Sequence, residues 1–245
     1  MEEAWEKLMK RYEDLRSEHP KDAWRFVSQL LEGFRPQFRE LYRQSKRAQR
    51  KIKQGKEIDP DQAWRNFKGR AFERLILHMI KTEVESVGLK CATGDEVISK
   101  SDDPVLGSVY RQIMVRYGCY AVIPDVDLVI FRADNHRVIG VVSCKVTLRE
   151  RIAQTAYWKL KLMADPTTHH IKVFFVTPDE DGDLVRKLPD PSQAVAARGF
   201  KNRILVEHEL DGTYVLRDIE PSEKVKTFDH FLDDLRKLLR RCARE

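Results

Sequence analysis

Four polar residues sit where the chain is otherwise apolar: Asp125 and Asp127 in IPDVDLVIF, and Ser143 and Lys145 at the end of VIGVVSCK. Residues two apart on a strand point to the same face, so the two aspartates form one pair and the serine and lysine another. Burying such charges is costly unless they are paired or used. A hairpin between the two runs would bring the pairs together at one end of a sheet. A carboxylate and a lysine there suit a divalent cation, a phosphate and an attacking water. The plain structural alternative is a buried ion pair with no chemistry.

The elements that must position these residues are legible around them. Ile123–Phe131 reads as a strand, Asp134-Asn135 as a turn, and Val138–Cys144 as a second strand, apolar enough to be buried on both faces. From Leu148 the period changes, and Ile152, Ala156, Leu160 and Met163 predict the inner face of a helix ending near Asp165-Pro166. Ile171–Thr177 is the next buried strand. Strand, helix and strand in that order predict a parallel pair joined by a right-handed crossover.

Pro124-Asp125, a hairpin, then Ser143-Cys144-Lys145 resembles the PD-(D/E)xK nuclease superfamily, with serine where an acid is usual. That variant, followed by Arg149-Glu150-Arg151, resembles the type II restriction endonucleases that read CCGG-type sites, and within them the BsaWI-like group. The resemblance implies an α/β, restriction-endonuclease-like mixed sheet flanked by helices. It implies Asp125 as the central ligand of Mg2+, the Cys144 carbonyl as another, and Lys145 orienting the attacking water. Ser143 can hydrogen-bond that water but supplies no charge. The helix glutamate that precedes the core in this superfamily falls on Glu73, in FKGRAFERLI; its plain alternative is an ordinary glutamate paired with Lys68 or Arg70. Relatives that lack the motif acid carry a glutamate about a dozen residues after the lysine, where Tyr157 and Trp158 stand here. Asp127 and Glu150 are therefore fallback carboxylates. Arginine pairs with guanine O6 and N7, and glutamate accepts from cytosine N4, so Arg149, Glu150 and Arg151 suit adjacent G·C pairs. A palindromic site implies double-stranded DNA read by a homodimer or a higher oligomer.

Elsewhere the sequence predicts helices over 1–58, a helical subdomain ahead of a nuclease core at 59–245. Trp5, Leu8, Met9, Tyr12 and Leu15 form one stripe; Trp24, Val27, Leu30 and Leu31 form a second, expected to end at Gly33 and Pro36. A third helix leads into RQSKRAQRKIKQGK, read as a solvated basic face or a phosphate-contacting arm. Asp59-Pro60 caps a long helix. Residues 88–107 read as loop with a short strand at Leu89–Ala92, and Val105–Tyr117 as a helix stopped by Gly118. PDEDGD, at 178–183, reads as a solvent turn, LPDPSQAVAARG as a short helix, and Arg203–Glu209 with Thr213–Leu216 as a hairpin. An amphipathic helix follows Pro221-Ser222.

Charged residues make up 34% of the chain and the net charge is +6, compatible with nucleic acid but equally with an ordinary ionic surface. The four cysteines (91, 119, 144 and 242) show no zinc spacing and suit reduced thiols in a cytoplasm. No apolar run predicts a membrane span and the N-terminus lacks a signal-peptide core. The expectation is a Mg2+-dependent, site-specific DNA endonuclease. Its alternatives are a DNA-binding or assembly protein with a decayed metal site, and a repair nuclease that reads structure.

Overall fold

The computed structural model describes residues 1–148, 151–189 and 199–242. The chain divides into two compact units, Met1–Leu75 and Ile76–Glu245.

The first unit is helical. α1 (Glu2–Glu18) buries Ala4, Leu8 and Tyr12, and stops before His19-Pro20. A 3-10 turn at Ala23–Phe26 leads into α2 (Val27–Gln44), which continues through both Gly33 and Pro36 rather than ending there. Proline removes one helical N–H and ordinarily breaks a helix. Here Val27, Leu31, Phe34, Phe38 and Tyr42 keep one buried stripe on either side of it, and that burial outweighs the local defect. Ser45 then caps α3 (Lys46–Lys53), and Gly55, at φ +68°, turns the chain away. Asp59 accepts from the amides of Asp61 and Gln62 and starts α4 (Pro60–Ser86). Phe67 of α4 stacks on Phe38, and Trp64 packs tilted against the same ring. The division between the two units falls within α4.

The second unit is built on a six-stranded mixed sheet of order β1-β4-β5-β6-β7-β8. β1 (Leu89–Thr93) runs antiparallel to β4 (Leu128–Arg132), and β4 antiparallel to β5 (Val138–Cys144). β5, β6 (Lys172–Thr177), β7 (Gly212–Val215) and β8 (Val225–Thr227) are parallel neighbours. A separate hairpin pairs β2 (Val115–Tyr117) with β3 (Tyr120–Val122) across Gly118, at φ +61°. The helix expected over Val105–Tyr117 is therefore shorter: α6 (Pro104–Gln112) ends ahead of that hairpin, because Val-Arg-Tyr and Tyr-Ala-Val pair across a tight turn. The loop expected at 88–107 also holds α5 (Gly94–Ser99), whose Glu96 amide is capped by the Thr93 hydroxyl.

α7 (Arg151–Ala164) crosses from β5 to β6. Its buried stripe is Ile152, Thr155, Ala156, Lys159 and Leu162, while Leu160 and Met163, expected inside, are exposed. The stripe is rotated because Thr155 and Lys159 find polar partners beneath the helix. Arg203–Glu209 is not a strand but lies within α8 (Lys201–Glu209), so no hairpin forms around Asp211-Gly212. Arg203 is fully buried there. It pairs with Glu207 one turn on and donates to the carbonyls of Leu184 and Glu220. The terminal helix also starts later than expected. Val225 pairs in β8, and α9 (Phe231–Cys242) follows a 3-10 turn, with Phe231 packed edge-on against Phe174 and Tyr214. The 178–183 turn is not a solvated one throughout, since Asp179 is fully buried and accepts from the amides of Asp183 and Leu184. The short helix expected at 188–199 falls largely outside the described residues. Among the described residues no helix is long and apolar enough to cross a membrane.

Candidate active site

The site lies where β4 begins and β5 ends. β4 starts at Leu128, not Ile123, so Pro124–Asp127 lead into the strand instead of belonging to it. Pro124 has no N–H to give a ladder. Gly94 fixes the rest: its amide donates to the Asp127 carbonyl at 2.9 Å, and a Cβ there would stand 2.0 Å from the Val126 carbonyl oxygen. Only glycine permits that approach. The Asp127 amide in turn donates to Val142 O at 3.1 Å, which sets its side chain beside the end of β5.

The two aspartates therefore have different surroundings. Asp127 is buried, with Lys145 Nζ 2.8 Å from each of its carboxylate oxygens. It also accepts from the Cys144 amide at 2.6 Å and from the Ser143 hydroxyl at 3.5 Å. Asp125 is exposed and accepts from Gln154 Nε2 of α7 at 3.0 Å. Thr155, the next residue of α7, points inward, its hydroxyl 3.2 Å from Ser143 Oγ and 3.1 Å from the Arg151 carbonyl. Burial pushes the Asp127 carboxyl above the usual range and the Lys145 ammonium pulls it back; the negative charge of Asp125 adds a small upward push.

The structure thus brings together Lys145, Ser143 and Asp127, with Asp125 close enough to be felt electrostatically but joined to α7 instead. Asp127, held in reserve by the sequence reading, is the lysine's partner. Thr155 and Gln154 were not singled out at all. Their signal was weak: two polar residues on the side of a helix that apolar periodicity had turned outward. Cys144 is buried, its amide on Asp127. Glu73 lies half-buried on the part of α4 that belongs to the first unit. Arg151 opens α7 and is exposed; Arg149 and Glu150 lie outside the described residues.

The donors gathered here are oxygens: two carboxylates, the Ser143 hydroxyl and backbone carbonyls. That is the chemistry of a hard cation such as Mg2+ or Ca2+, not of zinc or copper. Two aspartates against one lysine leave net negative charge here, so these residues fit a divalent ion. Among the described residues no group of three or more His, Cys, Asp or Glu side chains converges, so the site offers two carboxylates and not three.

A mixed sheet of this order, with a lysine and an aspartate paired where β4 begins and β5 ends, defines a nuclease-like core. It matches the structure of restriction endonuclease PspGI bound to substrate DNA, with a TM-score of 0.50 at 12% identity over 96% of this chain and 93% of that one. That likeness concerns the fold. Residues 105–238 match the family model of the type 2 restriction endonuclease BsaWI. A Methanocaldococcus jannaschii protein described as the type II restriction enzyme MjaVIP is 36% identical over 71% of this chain and 76% of its own length. A Helicobacter pylori protein described as the type II restriction enzyme HpyAORF263P is 33% identical over 72% and 91%. The chain belongs to the BsaWI family of type II restriction endonucleases, and its activity is that of a site-specific deoxyribonuclease.

Proposed function

We propose that this enzyme hydrolyses double-stranded DNA at a palindromic CCGG-type site with Mg2+, acting as a homodimer. The carrying observation is the buried Asp127–Lys145 pair at 2.8 Å, ringed by Ser143, Cys144 and Thr155 where β4 begins and β5 ends. Asp127 and Asp125, with the Cys144 carbonyl, would hold the cation, and Glu73 is the further carboxylate to test. When bound, the cation neutralises charge on the phosphate and acidifies a water. Lys145 orients that water and stabilises the charge that develops on the phosphate oxygens. Asp127 keeps the lysine charged and aimed. Ser143 donates a hydrogen bond but no charge, so the two aspartates take over the duty of the absent motif acid.

Base reading falls to Arg149, Glu150 and Arg151, at the entry to α7. A bidentate arginine–guanine contact is worth ~1–3 kcal/mol of discrimination. Two-fold symmetry would use each contact twice. The test is digestion of a plasmid of known sequence with Mg2+ and with Ca2+. Discrete fragments ending at CCGG-containing sites, with binding but no cutting in Ca2+, support the reading. Discrete fragments at sites lacking CCGG would remove the specificity and leave the enzyme class; cutting without any divalent ion would remove the cation.

A further inference from the structure

The first unit contains a feature that the nuclease reading does not use. A cavity of about 490 Å3 opens among α1, α3 and α4. Its floor is aromatic, formed by Trp5, Tyr42 and Phe67, and its wall carries Arg47, Lys51 and Arg70. Arg47 and Lys51 are one turn apart and share a face of α3, with Arg70 standing on α4. Among the described residues the side chains of these three cations make no ion pair. The carboxylates of the wall are already engaged: Glu2 holds Arg74 at 3.2 Å, and Asp59 caps α4. Arg74 itself lies over the Trp5 ring, 4.0 Å from its centroid.

Three cations without an ion-pair partner beside an apolar floor suit an anion with an apolar body. A phosphate alone would use the cations and leave the floor bare; an apolar ligand would do the reverse. A sugar–phosphate strand satisfies both, with phosphates on the cations and deoxyribose against the uncovered side of Trp5. The basic residues on the other side of α3 differ. Lys46, Arg50 and Lys53 border a shallow depression with no aromatic floor. We propose that the cavity lined by Arg47, Lys51, Arg70 and Trp5 is a sequence-independent binding site for the backbone of a DNA strand. The inference does not depend on which side chains cut.

The test uses the full chain, without divalent ions, binding a labelled duplex that lacks any CCGG, across a series of KCl concentrations. Two triple variants remove equal charge: Arg47→Gln with Lys51→Gln and Arg70→Gln, and Lys46→Gln with Arg50→Gln and Lys53→Gln. Each lost phosphate contact lowers the slope of log affinity against log salt by about 0.9. The cavity triple should therefore lose about two to three units of slope, while the control triple keeps the wild-type value. Equal slope losses in both triples, or none in the cavity triple, overturn the proposal. A second readout spares the cations. DNA should change the tryptophan fluorescence of the wild type by an amount that disappears in Trp5→Phe. If Trp5→Phe shows the same change, or if inorganic phosphate at matched ionic strength reproduces the wild-type change, the cavity is not a strand site.

Discussion

Two lysine–aspartate pairs with a buried lysine lie in the second unit, and they are differently placed. Lys145–Asp127 bridges strands that the β4–β5 ladder already joins, and its other partners, Ser143 and Cys144, belong to those same strands. Lys159–Asp211 ties elements that share no ladder. Lys159 comes from α7, and Asp211, just ahead of β7, also takes the Val173 amide of β6 and the Lys172 ammonium. One pair joins strands that a ladder already holds; the other fastens a helix to two strands. Burial of opposite charges therefore does not mark a catalytic centre. What separates the pairs is whether the neighbouring groups are consumed in holding elements together.

The largest effect expected from that contrast is on cleavage. Lys145→Met and Asp127→Asn should each lower the cleavage rate by about two to three orders of magnitude, the usual scale for losing one transition-state stabiliser. Each also leaves a buried charge unpaired and so costs stability, but both should retain DNA binding at temperatures where they stay folded. Normal cleavage by the folded protein would show that this pair too is structural. Next is Asp211→Ala, which leaves Lys159 charged, buried and unpaired. It should destabilise the protein by about 3–5 kcal/mol in denaturant titration, while molecules still folded at low temperature cut normally. A catalytic defect without a stability defect would reverse the two assignments.

Smaller effects should come from α7. Thr155→Val removes the hydroxyl beside Ser143 but keeps the shape, and should slow the chemical step about tenfold, the scale of one hydrogen bond. Thr155→Ser should restore the rate, which a packing role would not allow. The smallest effect concerns Asp179, where burial pushes the carboxyl up to about 6. Between that value and the unfolded value near 3.9 the native state holds more protons, so this group adds stability as pH falls from about 7 to about 4. Asp179→Asn should flatten that part of a melting-temperature profile. An unchanged profile would mean that the amides of Asp183 and Leu184 hold the carboxylate charged.

How far the sequence reaches is clearest at the site itself. β5 and β6 are legible because unbroken apolar runs have no other use, and Asp59-Pro60 starts α4 by local rules alone. Lys145 was readable from its place after such a run. Its partner was not, because the choice between Asp125 and Asp127 depends on Gly94 meeting the Val126 carbonyl, a contact between distant parts of the chain that periodicity cannot see. Arg203–Glu209 failed for a related reason. Its composition suits a strand, but the buried Arg203 finds its acceptors only in a helical turn. The face of α7 was misplaced because Thr155 and Lys159 count as polar in any pattern, whereas each is buried with a partner waiting.

Three polar side chains of α7 are each fastened to a different strand or lead: Gln154 to Asp125, Thr155 to Ser143, and Lys159 to Asp211. A helix held at three points can neither slide nor roll by one residue without breaking all of them. The pose of α7 is thereby dictated by the strands and leads beneath it, and Arg151, exposed at its first residue, is carried in a fixed place.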